Sequence, residues 1–180
     1  MSSVSFLEAL VNEIYMDAGD SGPGRADPLN QPCRDSMSEY WRDADRNASV
    51  LTKYQMALLF ADKSRFDKGA TPFQDVESLI SMRNALVHFK PSWHDHLDPA
   101  KLELVLPSKF AKSTLLPGND GSPWLIWALA APGAEWAHNA ARAFAGEWMN
   151  RMGLIRVFEA DLKHFDEQVQ ADGLGGVNVL

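Results

Sequence analysis

Apolar residues recur along this chain at the three- and four-residue spacing of amphipathic helices, with little of the alternation that is typical of strands. A capping box at Ser5–Glu8 opens the first such run, and Gly19 is placed to end it. Further runs start near Ser49, with a polar lead-in from about Ser38, and at Pro72. The four principal helices are therefore predicted at about 5–19, 49–61, 72–89 and 134–152, with shorter helices near 122–129 and 158–169.

The segments between these helices are rich in turn-forming residues. Residues 19–36 hold most of their Gly, Pro and Asp before Pro32, which predicts a long flexible loop. The third helix should stop before Pro91, because the residue preceding a proline disfavours helical geometry. The whole pattern predicts one all-α helical domain over residues 1–170, with a C-terminal tail, 171–180, that is frayed.

Charge and composition narrow the classes of function. The 180 residues carry a formal net charge of −7 and include no Lys/Arg-rich run. A broad nucleic-acid-binding surface is therefore not expected, since phosphate binding draws on a basic face, although a local basic pocket is compatible with this charge. The chain does not open on a basic leader and an apolar segment, and no run approaches the ~18 apolar residues that span a bilayer. We expect a soluble cytoplasmic protein.

The sequence Arg83-Asn84-Ala85-Leu86-Val87-His88 places an arginine, an amide and an imidazole late in the third predicted helix, within an otherwise apolar run. Polar groups beside a buried stripe cost free energy unless they are paired or used. At ~100° per residue, Arg83 falls near the middle of the apolar stripe, and Asn84 and His88 lie one turn apart on its flank. The stripe consists of Val76, Leu79, Ile80, Leu86 and Val87.

An Arg-Asn pair followed by His at Arg-x4-His spacing, late in a helix of a predicted four-helix protein, resembles the signature of the HEPN superfamily. The runs LTKYQMALL, ATPFQDVESLISMRNALVHFKP and EWAHNAARAFAGEWMNRMG are similar to small prokaryotic HEPN-like proteins, from about Ser49 to Gly153. The resemblance implies an antiparallel four-helix bundle with additional short helices. It also implies a homodimer in which two motifs face each other across a cleft.

In active members of this family the paired motifs form a metal-independent ribonuclease site. Carried over by position, His88 would act as general acid and base at the ribose 2′-hydroxyl and the leaving 5′-oxygen. Arg83 would hold the scissile phosphate, and Asn84 would orient the histidine or the phosphate. The resemblance thus implies RNA cleavage, or RNA or nucleotide binding, in a stress- or phage-defence setting and without a metal or other cofactor. A protein partner such as an antitoxin is not identified by the sequence.

The same residues also fit a non-catalytic interaction or dimerisation module in which the motif is structural. Arg83 would then pair with a carboxylate, for which Glu147 on another helix is the first candidate, ahead of Asp75 and Glu135. His88 would stabilise the C-terminal end of its own helix, where a cation is favoured.

Two other features are predicted to be ordinary surface. His94 and His96 could clip a metal ion, but such a site needs further ligands that the sequence does not mark, so a solvated loop is favoured. Cys33 is the single cysteine, which excludes a disulfide within the chain, and its polar neighbours predict an unremarkable surface thiol.

Overall fold

The computed structural model describes residues 2–44, 48–87, 102, 104–110 and 128–154. Five α-helices lie within these ranges, and no strand is found there, which confirms the predicted all-α class. The helices are α1 (Ser2–Gly19), α2 (Gln31–Ala44), α3 (Val50–Phe60), α4 (Phe73–Val87) and α5 (Ala131–Met152), with a 3₁₀ turn at Leu106–Ser108.

For the first and last of the four predicted helices, the C-terminal end is predicted more closely than the N-terminal end. Helix α1 ends at Gly19 as predicted, but it begins at Ser2, so the capping box at Ser5–Glu8 lies inside the helix. Helix α5 ends at Met152 as predicted, and the left-handed φ of 72° at Gly153 suits a glycine C-cap. It begins at Ala131, because Pro132 occupies the first turn, where a missing N–H costs nothing.

Helix α2 is the element that the sequence pattern missed. It begins at Gln31, so residues 31–36 are helical and the connection after α1 is shorter than the predicted loop 19–36. The Asn30 side chain caps this start by accepting a hydrogen bond from the Cys33 backbone N–H at 3.0 Å. The polar lead-in predicted from Ser38 is part of this separate helix, and α3 starts afresh after the Ser49 N-cap.

Cys33 lies on the buried face of α2, so its prediction as a surface thiol is wrong. Its side chain is 1% exposed and lies 3.8 Å from the Met37 sulfur, and burial raises the pKa of the thiol. The apolar positions Cys33, Met37, Tyr40 and Trp41 have the helical spacing that marks this face. The surrounding Gly, Pro and Asp residues obscured that spacing.

Helix α1 is the centre of the packing, since it contacts each of the other four helices. Its buried residues extend from Val4 to Ala18, so the buried face runs along almost the whole helix. Leu7, Val11 and Ile14 have no exposed surface, and each fully buried apolar side chain of this size contributes about 1.5–3 kcal/mol.

Three buried aromatic side chains join the helices through their polar atoms. Tyr15 on α1 donates to the Lys53 carbonyl on α3 at 2.9 Å, and Tyr54 on α3 donates to the Leu7 carbonyl on α1 at 2.8 Å. Trp148 on α5 donates to the Tyr54 carbonyl at 3.1 Å. Each aromatic thus satisfies its own donor on a neighbouring helix, which fixes how α1, α3 and α5 are aligned. Burial of Trp148 in the core agrees with its helical spacing.

None of the helices within the described ranges combines the length and the apolar character needed to cross a membrane. The predicted helices near 122–129 and 158–169 lie largely or wholly outside the described residues, as does the tail 171–180.

Tyr54→Phe is expected to lower the free energy of unfolding at neutral pH by about 1 kcal/mol, because the buried hydroxyl bond to Leu7 is lost. Urea unfolding followed by circular dichroism measures this change. Leu59→Phe is a suitable control, because Leu59 is 51% exposed and its substitution should be close to neutral.

The same phenol should also make stability depend on alkaline pH. Burial raises the pKa of Tyr54 above its ordinary value of 10.0, so the unfolded chain loses this proton first. The stabilisation is complete below about pH 10 and falls as the pH rises further, by at most about 1.4 kcal/mol per pH unit for this group. Urea unfolding of the wild type and Tyr54→Phe across this range should give a shallower slope for the variant, and identical slopes would contradict the assignment.

Candidate functional site

Arg83 lies at the rim of the buried face of α4. The helical spacing had predicted it near the middle of that face, and this prediction is wrong. The residues that point to the core are spaced by three and are Phe73, Val76, Leu79 and Met82. A step of three residues turns about 300°, which is about 60° short of a full turn, so the line of buried residues shifts around the helix. Met82 therefore occupies the core-facing position that a straight apolar stripe had predicted for Arg83. The Arg83 side chain is 30% exposed, and Val87, one turn later, is 49% exposed.

The guanidinium of Arg83 is held by two neighbours. Its Nη1 donates to the Asn84 Oδ1 at 2.9 Å, and its Nη2 lies 3.7 Å from a carboxylate oxygen of Glu8 on α1. The predicted carboxylate partners are wrong. Glu147 pairs with Arg151 at 2.8 Å, and Asp75 pairs with Lys109 at 2.6 Å. Glu135 is exposed, and the ion pair of Arg83 is made with Glu8.

The structure brings together two of the three predicted site residues, Arg83 and Asn84. His88 follows Val87 in the sequence and is outside the described residues, so its contact with Asn84 stays a prediction. His94 and His96 also lie outside them. In the part of the chain that the structure describes, no group of three or more His, Cys, Asp or Glu side chains is placed to hold a metal ion.

A guanidinium in this position can bind an anion. It carries five N–H donors in a planar fork that matches two oxygens of a phosphate, and the contacts to Asn84 and Glu8 involve only its Nη atoms. Partial exposure lets a ligand reach it, while the bond to Asn84 limits its rotation. Asn84 therefore positions the guanidinium in the structure, whereas the family resemblance implied that it orients the histidine or the phosphate.

Lys53 is a buried cation that the sequence did not mark. Its side chain is only 4% exposed, its Nζ donates to the Asn12 Oδ1 at 2.9 Å, and it lies 4.7 Å from the ring centroid of Trp41. The amide and the indole come from α1 and α2, so the contact connects three helices through a hydrogen bond and a cation–π interaction. The three residues are far apart in sequence, and no local spacing announces them.

An open cleft of about 400 Å³ lies between the end of α1 and the start of α2 and includes Arg34. The Arg34 Nη2 donates to the Asp20 carbonyl at 2.6 Å and lies 3.4 Å from the Asp17 carbonyl. Its side chain is 17% exposed. A guanidinium on the last carbonyls of a helix is a C-terminal cap. The acidic side chains of Asp20 and Asp35 line the same cleft, so the cleft is better explained by helix capping than by anion binding.

Comparison with known proteins adds no relative: no family model, no curated protein and no solved structure matches this chain.

Arg34→Met should lower the free energy of unfolding by about 1–2 kcal/mol, because the carbonyls at the end of α1 lose a charged donor. The buried Arg34 Nε has no acceptor in the described structure, which keeps the loss at this moderate level. Arg25→Met is the matched control. It removes a partly exposed pair with Glu13 at 2.8 Å and should cost less than about 1 kcal/mol. Equal losses in the two variants would rule out the capping role.

Proposed function

We propose that this chain is a HEPN-like protein that binds the phosphate of RNA or of a nucleotide through Arg83, as a homodimer with an antiparallel four-helix arrangement. Metal-independent RNA cleavage by His88 is the activity that this site would carry. The observation that carries the proposal is the guanidinium of Arg83, which is 30% exposed and is held at the edge of α4 by Asn84. A phosphate can reach it there without unfolding any part of the core.

The division of roles follows from the chemistry of the three side chains. Arg83 offers two parallel N–H groups to phosphate oxygens, and such charge-assisted bonds are about twice as strong as neutral ones. Imidazole titrates near neutral pH, so His88 is suited to move a proton at the ribose 2′-hydroxyl and the leaving oxygen. The proposed site uses one arginine from each chain. Such a small basic site is compatible with the net charge of −7.

The outer side of α4 supports the homodimer. Val87 lies one turn beyond Arg83 on the same side of the helix and exposes 49% of its surface. Ile80 and Leu86, also on α4, pack against the core but are only partly buried. A second copy of the chain packed here would cover apolar surface and bring two Arg83 side chains to one cleft.

A second candidate is a non-catalytic interaction module in which Arg83 is structural. The contact with Glu8 favours it, because this ion pair joins α4 to the central helix α1. The long distance of 3.7 Å and the exposure of both side chains limit its worth to below about 1 kcal/mol. The phosphate-binding role is preferred, because a phosphate can accept two hydrogen bonds from the exposed guanidinium, whereas Glu8 lies 3.7 Å from one of its nitrogens.

Arg83→Met should weaken binding of a labelled single-stranded RNA by about 10–100-fold, which corresponds to the loss of a hydrogen bond to a charged group. The free energy of unfolding should change by less than about 1 kcal/mol, since the pair with Glu8 is partly exposed. Fluorescence anisotropy and urea unfolding measure the two quantities. A large loss of stability, with no RNA binding by the wild type, would favour the structural role.

His88→Ala should abolish RNA cleavage while RNA binding is kept. The arginine still holds the phosphate, but no group is left to transfer the proton. Cleavage is followed on denaturing gels in the presence of a chelator, which leaves a metal-independent reaction unchanged. Retention of the wild-type rate in His88→Ala would exclude this histidine from the reaction.

Val87→Gln should shift the chain towards the monomer, because it places a polar amide in the proposed contact between two copies. Leu59→Gln is the matched control, since Leu59 on α3 is exposed to a similar extent, 51% against 49%. Sedimentation velocity at several protein concentrations gives the dissociation constants. The same oligomeric state in Val87→Gln and the wild type would place the dimer contact elsewhere.

A further inference from the structure

The carboxylate of Glu8 faces the guanidinium on which the proposed function depends. Glu8 is on α1, and its Oε2 lies 3.7 Å from the Arg83 Nη2. We propose that Glu8 is a built-in competitor for the anion site: it neutralises Arg83 in the free protein and must be displaced by a phosphate. This inference rests on the proposed function and adds a means of regulating it.

The geometry of the pair is that of a weak and displaceable contact. Three other ion pairs of the described structure are much closer, at 2.6 Å for Lys109–Asp75 and 2.8 Å for both Arg151–Glu147 and Arg25–Glu13, while Arg34–Asp27 is similarly long at 3.6 Å. The Glu8 side chain is 47% exposed, so water can replace Arg83 as its partner. A carboxylate at this distance contributes charge without a formed hydrogen bond.

The backbone at Glu8 cannot withdraw when a ligand arrives. Leu7 and Val11 have no exposed surface, and Leu10 is 4% exposed, so the core holds this turn of α1 in place. Displacement must therefore occur by rotation of the Glu8 side chain alone. The bond from the Arg83 Nη1 to Asn84 does not involve Glu8, so the guanidinium stays oriented when the carboxylate leaves.

The competition favours a ligand that presents two oxygens to the guanidinium of Arg83. A phosphate can present two oxygens to the guanidinium fork, whereas Glu8 presents one oxygen at 3.7 Å. A phosphate group of RNA should therefore displace Glu8. The half-exposed carboxylate would also repel an incoming anion over roughly the Debye length of 10 Å at moderate salt.

Glu8→Gln tests this inference, with Glu13→Gln as the matched control. Both residues lie on α1, both side chains are 47% exposed, and both substitutions remove one negative charge, but Glu13 pairs with Arg25. Anisotropy titrations with a labelled single-stranded RNA should show binding by Glu8→Gln that is about two- to fivefold tighter than by Glu13→Gln, as expected for a partly exposed pair. The difference should shrink at high salt. Glu8→Asp, which keeps the charge on a shorter side chain, should stay nearer to the wild type.

The outcomes separate the two proposals. If Arg83→Met weakens RNA binding but Glu8→Gln binds no tighter than Glu13→Gln, the competitor role is wrong and phosphate binding by Arg83 stands. Weaker binding by Glu8→Gln would likewise overturn it and make Glu8 a positioning residue for the guanidinium. If Arg83→Met binds RNA as the wild type does, the proposed function fails, and the competitor role fails with it. Thermal unfolding of each variant verifies that the fold is retained.

Discussion

The hydrogen bond from the Tyr54 hydroxyl on α3 to the Leu7 carbonyl on α1 lies where the main helices of this protein meet. The Tyr54 ring packs edge-on against Phe144 and Trp148 of α5, with ring centroids 4.9 Å apart in both pairs. Its own carbonyl accepts the Trp148 indole N–H. A buried phenol or indole without a partner would carry a desolvation cost of about 1–3 kcal/mol, so these bonds specify one alignment of the three helices.

That alignment also decides where the candidate site lies. Leu7 is fully buried, and the next residue, Glu8, lies about 100° further around α1 and is 47% exposed. Met82 is buried at the core side of α4, and the next residue, Arg83, lies at the rim of that face. The two core contacts therefore bring a carboxylate and a guanidinium to within 3.7 Å on the outside of the protein. The site is a consequence of core register, and its weak ion pair leaves the arginine accessible to an anion.

The sequence predicted the helices whose apolar spacing was not interrupted, namely α1, α3, α4 and α5. It failed at α2, where Pro32 and the preceding Gly and Asp residues resemble a loop, although Asn30 provides the cap and Pro32 suits a first turn. The same misreading placed Cys33 on the surface. For the candidate site, the helix of Arg83 and Asn84 was predicted correctly, but the partner of Arg83 was not. Side-chain pairs between helices depend on the rotation of each helix about its axis, and an error of one residue changes that rotation by about 100°.

The sequence by itself determined the all-α class and the chemistry available at the candidate site, because helical periodicity and residue type are local properties. It also established the net charge of −7, which limits how large a phosphate-binding surface can be. Only the tertiary structure decided that Lys53 is buried against Asn12 and Trp41, and that Glu8 faces Arg83. Lys53 is 41 positions from Asn12 and 12 from Trp41, and Arg83 is 75 positions from Glu8. Such contacts arise only when the core brings separate helices together.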